Sequence, residues 1–122
     1  MLRTESEIVS LERDRLVTRR PIDETEAVFA GHYPGFPILP GVLLVDGAHR
    51  DVVRSAAAWT HRPIRLAGLD SVRFSAPVFP GDVLETECVV SVTEDRLDVK
   101  ATFRTGRGRA AGARLRFVLE GS

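Results

Sequence analysis

Two ionisable side chains, His32 and Asp46, stand fourteen positions apart and could act as the base and the acid of one reaction. Histidine exchanges protons near neutral pH. Asp46 lies among apolar residues, where desolvation would raise the pKa of a carboxyl and favour proton donation. Each residue also has a plainer interpretation: His32 as a turn histidine, and Asp46 as a partner of His49 or Arg50 along a helix. Taken together, the pair favours acid–base catalysis.

The segment that joins them is predicted to be a rigid loop followed by a helix. Between residues 31 and 41 the sequence carries three prolines and three glycines, which restrict the backbone or permit its close approach. Pro40 stands where a helix can begin. Projected at 100° per residue, positions 41–58 show a broad apolar face that includes Asp46 and His49. The apolar members are Val42, Val45, Val52, Val53, Ala56 and Ala57, and the face leaves out Arg50, Asp51, Arg54 and Ser55.

The rest of the chain predicts an antiparallel sheet. Short apolar or alternating segments are separated by polar, glycine or proline turns, as in strands with one buried face. They cover residues 8–11, 16–19, 27–30, 64–74, 83–92, 97–103 and 111–119. One long helix with about five or six antiparallel strands predicts an α+β fold in which the sheet wraps around the helix.

Length and composition predict a single domain over residues 1–122 with no nucleic-acid or membrane partner. The apolar content is 43%, the charged content 28% and the formal net charge zero, so bulk electrostatics gives no argument for nucleic acid. No apolar run approaches the roughly 20 residues of a membrane span, and the first residues lack the apolar core of a secretion signal. The lone Cys88 fits a reducing cytoplasm, and three scattered histidines form no zinc-ligand pattern.

A family resemblance rests on residues 31–46, which read Gly-His-Tyr-Pro-Gly-Phe-Pro-Ile-Leu-Pro-Gly-Val-Leu-Leu-Val-Asp. This segment closely resembles the active-site signature of the β-hydroxyacyl-acyl-carrier-protein dehydratases of the hot-dog fold. Residues 66–84 agree with the same family, and the resemblance extends from Phe29 to the final strand. It implies the hot-dog fold and the dehydration of a 3-hydroxyacyl thioester to the trans-2-enoyl thioester, in fatty-acid or polyketide-type biosynthesis.

The resemblance also implies roles for individual residues. His32 would remove the proton from C2, and Asp46 from a partner subunit would protonate the departing hydroxyl or hold the water. The backbone N–H of Gly41, at the helix N-terminus, would stabilise charge on the thioester oxygen. The carbonyl of Ile38 would fix the tautomer of His32.

Substrate and assembly follow from the same resemblance. The acyl chain would enter an apolar tunnel, and the phosphopantetheine of acyl carrier protein or coenzyme A, with no separate cofactor, would pass an arginine-lined entrance. The expected assembly is a homodimer with the active site at the subunit interface, and larger assemblies stay open. Expected tunnel walls are Phe36, Val42, Val45, Phe74 and Phe79, and candidate entrance residues are Arg62, Arg65, Arg73 and Arg104.

Two positions depart from the family pattern. Asp46 stands where most small members carry glutamate, and Arg50 replaces a glutamine. Arg50 would lower the pKa of Asp46, and His49 adds a titratable group, so we treat both as modulators of the acid. The departures favour a specialised pathway enzyme. They also keep open a non-catalytic hot-dog protein that binds acyl carriers. A hot-dog acyl thioesterase is the other alternative, and the loop at residues 31–40 with His32 argues against it.

Overall fold

The structure, a computed structural model, describes residues 6–23 and 40–121. These residues form six strands, one α-helix and a short 3₁₀ turn. In chain order they are β1 (Glu7–Leu11), β2 (Arg15–Pro21), α1 (Gly41–Ser55), the 3₁₀ turn (Ala56–Ala58), β3 (Ile64–Phe74), β4 (Val83–Val92), β5 (Arg96–Thr105) and β6 (Gly108–Leu119). No helix within these ranges is long and apolar enough to cross a membrane.

All six strands belong to one antiparallel sheet in the order β1-β2-β4-β5-β6-β3. The predicted alternation is confirmed in β5, where Leu97, Val99, Ala101 and Phe103 are each at most 2% exposed. Their neighbours along the strand point to the outer surface, because successive side chains of a strand face opposite ways. The predicted α+β plan is therefore confirmed, while the strand expected at residues 27–30 lies outside the described residues.

The buried face of α1 differs from the predicted one. Val42 and Val53, which the helical projection assigns to the apolar face, are 69% and 48% exposed. Asp51 and Ser55, which the projection leaves out, are buried. The predicted orientation of the helix about its axis is thus wrong by part of a turn. A helical projection assigns polar side chains to the solvent face, even when other parts of the chain supply hydrogen-bond partners that allow them to be buried. The buried helix residues are Leu44, Val45, Ala48, Asp51, Val52 and Ser55.

Asp51 is buried because separate parts of the chain donate hydrogen bonds to its carboxylate. Ser6 Oγ donates to Oδ1 at 2.5 Å, and Thr18 Oγ1 donates to Oδ2 at 2.8 Å. Arg54 Nη2 lies 3.3 Å from Oδ1 and adds a positive charge. A buried carboxylate is costly unless it is both paired and hydrogen-bonded, and this cluster meets both conditions. The cluster attaches α1 to β2 at one defined position along the helix.

Arg62 joins three segments of the chain that follow the helix. Its guanidinium donates to four backbone carbonyls: those of Glu94 at 2.9 Å, Leu119 at 2.6 Å, Glu120 at 3.1 Å and Gly121 at 2.5 Å. The rigid fork of arginine suits such multiple donation. The Arg62 side chain therefore holds the end of β6 against the turn between β4 and β5.

Replacing Asp51 by alanine is expected to lower the free energy of unfolding by about 3 kcal/mol, because the buried hydroxyls of Ser6 and Thr18 lose their acceptor. Urea unfolding followed by circular dichroism measures the loss. The matched control is Asp98→Ala, which removes an exposed carboxylate 2.9 Å from Arg96 and should cost about 0.5 kcal/mol or less. Equal losses in the two variants would contradict the structural role of Asp51.

Cys88 provides a second check on the core. The residue is 0% exposed, and burial raises the pKa of its thiol to about 12, with smaller contributions from the carboxylates of Asp51 and Glu87. Because the thiolate is the reactive form, Ellman's reagent should leave the native protein unlabelled and label it fully in urea. Rapid labelling without urea would show that the core is not packed as described.

Candidate functional site

The N-terminus of α1 presents backbone donors at an open position. Pro40 precedes the helix, and among the described residues no side chain caps the first turn and no acidic residue lies in it. The first N–H groups of a helix lack intrahelical partners and carry the positive end of the macrodipole. Gly41 is thus placed where developing negative charge would be stabilised.

A cavity of about 400 Å³ opens beside this helix end. Its volume is in the range of small-molecule sites. One wall is held to the sheet, because Ser75 N and Ala76 N both donate to the carbonyl of Ala110, at 2.8 and 3.1 Å. The lining residues are Gly41, Leu44, Phe74, Ser75, Ala76, Pro77 and Val78.

Phe74 and Gly41 both line the cavity, and their atoms approach each other closely. A Cβ atom placed on Gly41 would lie 2.5 Å from Phe74 Cε1 and 2.7 Å from Cζ. The absence of a side chain at Gly41 therefore allows the ring to rest against the first turn of the helix. Phe74 is nevertheless 56% exposed, so its ring has room to move. The tunnel-wall role expected for Phe74 stays a prediction.

Asp46 lies one turn into α1 and away from the core of its own chain. Its side chain is 41% exposed, and its Oδ2 atom lies 3.5 Å from Arg50 Nε. That nitrogen is buried and makes no hydrogen bond in the part of the chain that is described. An ion pair this long and this exposed is weak. The carboxylate is therefore accessible from outside the subunit, on the same side of the helix as Val42.

His49 and Val45 turn toward the protein interior. The His49 ring centroid lies 5.7 Å from that of Phe117, with the ring planes inclined at 43°, and Val45 is 8% exposed within the core. His49 thus packs against a core aromatic beside Asp46. Val45 belongs to the hydrophobic core, whereas Val42 is exposed on the helix surface, so these two predicted tunnel residues occupy different environments.

The remaining predicted residues divide into two groups. His32, Phe36 and Ile38 lie outside the described residues, and their roles stay predictions. The second group is the entrance arginines. Arg62 is engaged by the carbonyls described above, Arg65 Nε lies 3.2 Å from a Glu120 carboxylate oxygen, and Arg104 lies 3.8 Å from Glu87. Arg73 alone of these four makes neither an ion pair nor a side-chain hydrogen bond with another described residue.

Sequence reasoning identified Gly41 and Phe74 separately but missed their contact and the cavity wall formed by residues 75–78. Hydropathy gives no signal for a short turn that is fixed by two hydrogen bonds to a distant strand. A clue was available in Gly41 itself, because a glycine in the first turn of a helix often marks a close approach.

Comparison with known proteins gives one family match and several structural relatives. A model of the ApeI-like family, described as ApeI dehydratase, matches residues 8–113. A 3-hydroxyacyl-[acyl-carrier-protein] dehydratase FabZ from Symbiobacterium thermophilum is 37% identical over 109 residues, or 86% of this chain and 77% of the relative.

Two solved structures show the same fold at low identity. The dehydratase heterocomplex ApeI:P from Xenorhabdus doucetiae has a TM-score of 0.74 and 17% identity, covering 94% of this chain and 99% of that chain. Thioesterase HI1161 from Haemophilus influenzae has a TM-score of 0.74 and 15% identity, and the match covers 95% of this chain and 78% of that chain. These likenesses confirm the predicted hot-dog fold.

Replacing Gly41 by alanine is expected to push the Phe74 ring out of its position, since the new Cβ would lie 2.5 Å from it. Turnover of a 3-hydroxyacyl thioester should fall about tenfold or more, because small displacements at a reacting centre are costly. The control is Gly47→Ala in the same helix, where nothing lies within 4 Å of a Cβ. That variant should keep its activity and gain about 0.5–1 kcal/mol of stability. Equal activity in both variants would argue against a functional contact.

Proposed function

The chain belongs to the ApeI-like dehydratase family, and we propose on that premise that it removes water from a 3-hydroxyacyl thioester to form the trans-2-enoyl thioester. The structural observation that carries the proposal is the uncapped N-terminus of α1, which opens on a cavity of about 400 Å³ beside Phe74. This arrangement supplies an oxyanion donor and an apolar space in one place, as a thioester substrate requires.

The reaction breaks the C2–H and C3–O bonds, forms the C2–C3 double bond and releases water. His32 takes the C2 proton, and Asp46 protonates the departing hydroxyl or holds the water that it becomes. No separate cofactor has a step, because one base, one acid and one donor complete the proton balance. The substrate is carried on the phosphopantetheine of an acyl carrier protein or of coenzyme A.

Gly41 stabilises the charge that develops on the thioester oxygen when C2 loses its proton. A backbone N–H at a helix N-terminus is fixed before the reaction begins, so it does not have to reorganise. Loss of a single donor of this kind typically lowers kcat by about 10² to 10³. The Phe74 ring, which rests against the same residue, shields this donor from water on one side.

A second subunit of the same fold completes the site in this proposal. Edge strand β3 carries exposed apolar residues, including Leu69 at 44%, and α1 exposes Val42 and Val53 on the side that carries Asp46. Open strand edges are usually covered in native proteins. A homodimer places the partner's carboxylate near the cavity. Because the ApeI:P relative is a heterocomplex, a related but different chain is the second arrangement to test. We also propose a cytoplasmic location for the protein, which the lone Cys88 led us to expect.

The thioesterase alternative has one observation in its favour, which is the fold shared with HI1161. In that reaction Asp46 would direct water at the thioester carbonyl, and the His32 loop would have no role. The non-catalytic alternative rests on the departures at Asp46 and Arg50. The products formed from one thioester distinguish all three functions.

Purified protein is therefore mixed with 3-hydroxyacyl thioesters on carrier protein, coenzyme A and N-acetylcysteamine. The expected product is the enoyl thioester, which is detected by its absorbance. Release of free thiol would instead indicate a thioesterase, and binding without turnover would indicate a non-catalytic protein. His32→Ala and Asp46→Asn should each reduce dehydration by about 10² or more, with the oligomeric state unchanged in light scattering. The controls His61→Ala and Asp95→Asn, both exposed, should behave like the parent. Retained activity in His32→Ala would remove that residue from its role.

A further inference from the structure

The cavity beside the start of α1 lies between two parts of the chain. One part is the first turns of the helix, which contribute Gly41 and Leu44, and the other is the segment 74–78. The helix is fixed to the sheet through Asp51, as described above. The width of the cavity therefore depends on how the segment 74–78 is held.

The hairpin formed by β5 and β6 holds this segment at two points. The backbone N–H groups of Ser75 and Ala76 donate to the carbonyl of Ala110. The carbonyl of Pro77 then accepts a hydrogen bond from Arg107 Nη2 at 3.3 Å. Arg107 lies in the turn between β5 and β6, three residues before Ala110. The cavity wall and the hairpin are thus joined as one unit, and Arg107 is the side chain that completes the attachment.

Arg107 is itself held by Asp82. The guanidinium donates from Nη1 to Oδ1 and from Nη2 to Oδ2, both at 2.6 Å, and the Phe79 N–H donates to Oδ2 at 2.8 Å. The Asp82 side chain is only 11% exposed. The hydrogen bonds from Arg107, with a smaller contribution from the Phe79 N–H, hold the pKa of the Asp82 carboxyl below its usual range. The pair therefore remains ionised at neutral pH.

The contacts of Arg107 require an arginine. A planar guanidinium can donate to both oxygens of one carboxylate and still reach a nearby carbonyl, whereas a lysine ammonium cannot match that geometry. The Cζ atom of Arg107 also lies 5.0 Å from the centroid of the Phe79 ring, a cation–π distance. Phe79, one of the expected tunnel walls, is not among the described residues that line the cavity. Its ring supports the guanidinium instead.

We propose that Arg107 is a positioning residue that sets the width of the acyl cavity and, through it, the acyl-chain preference of the protein. This inference rests on the proposed function, which places an acyl chain in the cavity. Val78 transmits the effect, because it directly follows the Pro77 carbonyl that Arg107 holds, lines the cavity and is 1% exposed within the core. A close-packed wall cannot adapt freely to a longer or wider chain.

A purely structural role for Arg107 would have different consequences. Loss of stability reduces the amount of folded protein, and so it lowers activity toward every acyl chain by the same factor. Displacement of the wall acts mainly on chains that reach it, since a short acyl group fills only part of a cavity of about 400 Å³. The ratio of kcat/KM for long and short chains therefore reports the position of the wall.

The test compares Arg107→Lys and Arg107→Gln with the parent on 3-hydroxyacyl N-acetylcysteamine thioesters from short to long chains. An apolar pocket with fixed walls distinguishes chains that differ by one methylene by about tenfold or more. In both variants this preference, measured at the longest chains accepted, should fall about tenfold, and kcat for the shortest chain should stay within about twofold of the parent. Circular dichroism confirms that the same fraction of each protein is folded.

Arg96→Gln is the matched control. Arg96 Nη2 lies 2.9 and 3.0 Å from the two carboxylate oxygens of Asp98, and its side chain is 51% exposed, close to the 53% of Arg107. It makes no recorded contact with the segment 74–78, so this variant should keep the parent's preference. Asp82→Asn should reproduce the effect of Arg107→Gln, and the double variant should add little, because both residues act through one contact.

Three results would overturn the inference: an unchanged chain preference in Arg107→Gln, a uniform fall across all chain lengths, or full rescue by lysine. Calorimetry with unreactive alkyl thioethers of N-acetylcysteamine separates this inference from the proposed function. If the parent turns over no thioester, the proposed dehydration fails. A length preference in thioether binding that Arg107→Gln abolishes would still support the role of Arg107, whereas a parent without any length preference would exclude it.

Discussion

The position of α1 against the sheet depends on one buried carboxylate. Asp51 accepts hydrogen bonds from Ser6 and Thr18 and is paired with Arg54, so the helix cannot slide or rotate without breaking several strong contacts. An α-helix advances about 1.5 Å per residue, which puts Gly41 about 15 Å from this attachment and Asp46 about halfway. Both groups proposed for the chemistry are therefore positioned by an interaction that takes no part in it.

The groups proposed for the chemistry lie at the edge of the described fold. Gly41 and Phe74 meet where the first turn of α1 approaches the end of edge strand β3, and Asp46 lies on an accessible face of the helix. A buried core would provide a dry site but no access for a substrate attached to a large carrier. A position between a helix end and a sheet edge provides access, and in the proposed dimer the second subunit would exclude water.

Much of the fold could be read from the sequence because its signals are local. The predicted strands at residues 64–74 and 83–92 have the observed bounds, and the alternation of β5 identified its buried side chains. The orientation of α1 could not be read in this way. Burial of Asp51 depends on hydroxyls 45 and 33 positions earlier in the chain, and no periodicity within the helix reports partners that distant.

The candidate site was predictable to a smaller extent. Gly41 and Asp46 follow from the family resemblance, and Gly41 lies at the helix N-terminus as expected. The desolvated setting expected for Asp46 is wrong, because its side chain is 41% exposed. The catalytic roles of both residues stay predictions, as does that of His32, which lies outside the described residues. The contacts of individual arginines could not be predicted from the sequence. The guanidinium of Arg62 donates hydrogen bonds to backbone carbonyls, whereas Arg73 is exposed to solvent. Such assignments require the three-dimensional neighbours of each guanidinium.

The adjacent pair Arg73 and Phe74 has an evolutionary consequence. Neighbouring residues of a strand place their side chains on opposite sides of the sheet. Selection can therefore change one of these two side chains without disturbing the surface on which the other lies. A lineage can exchange the exposed arginine while retaining the aromatic ring that lines the cavity, or do the reverse. The charge of the outer surface and the shape of the cavity can thus change separately, although a single peptide bond connects the two residues.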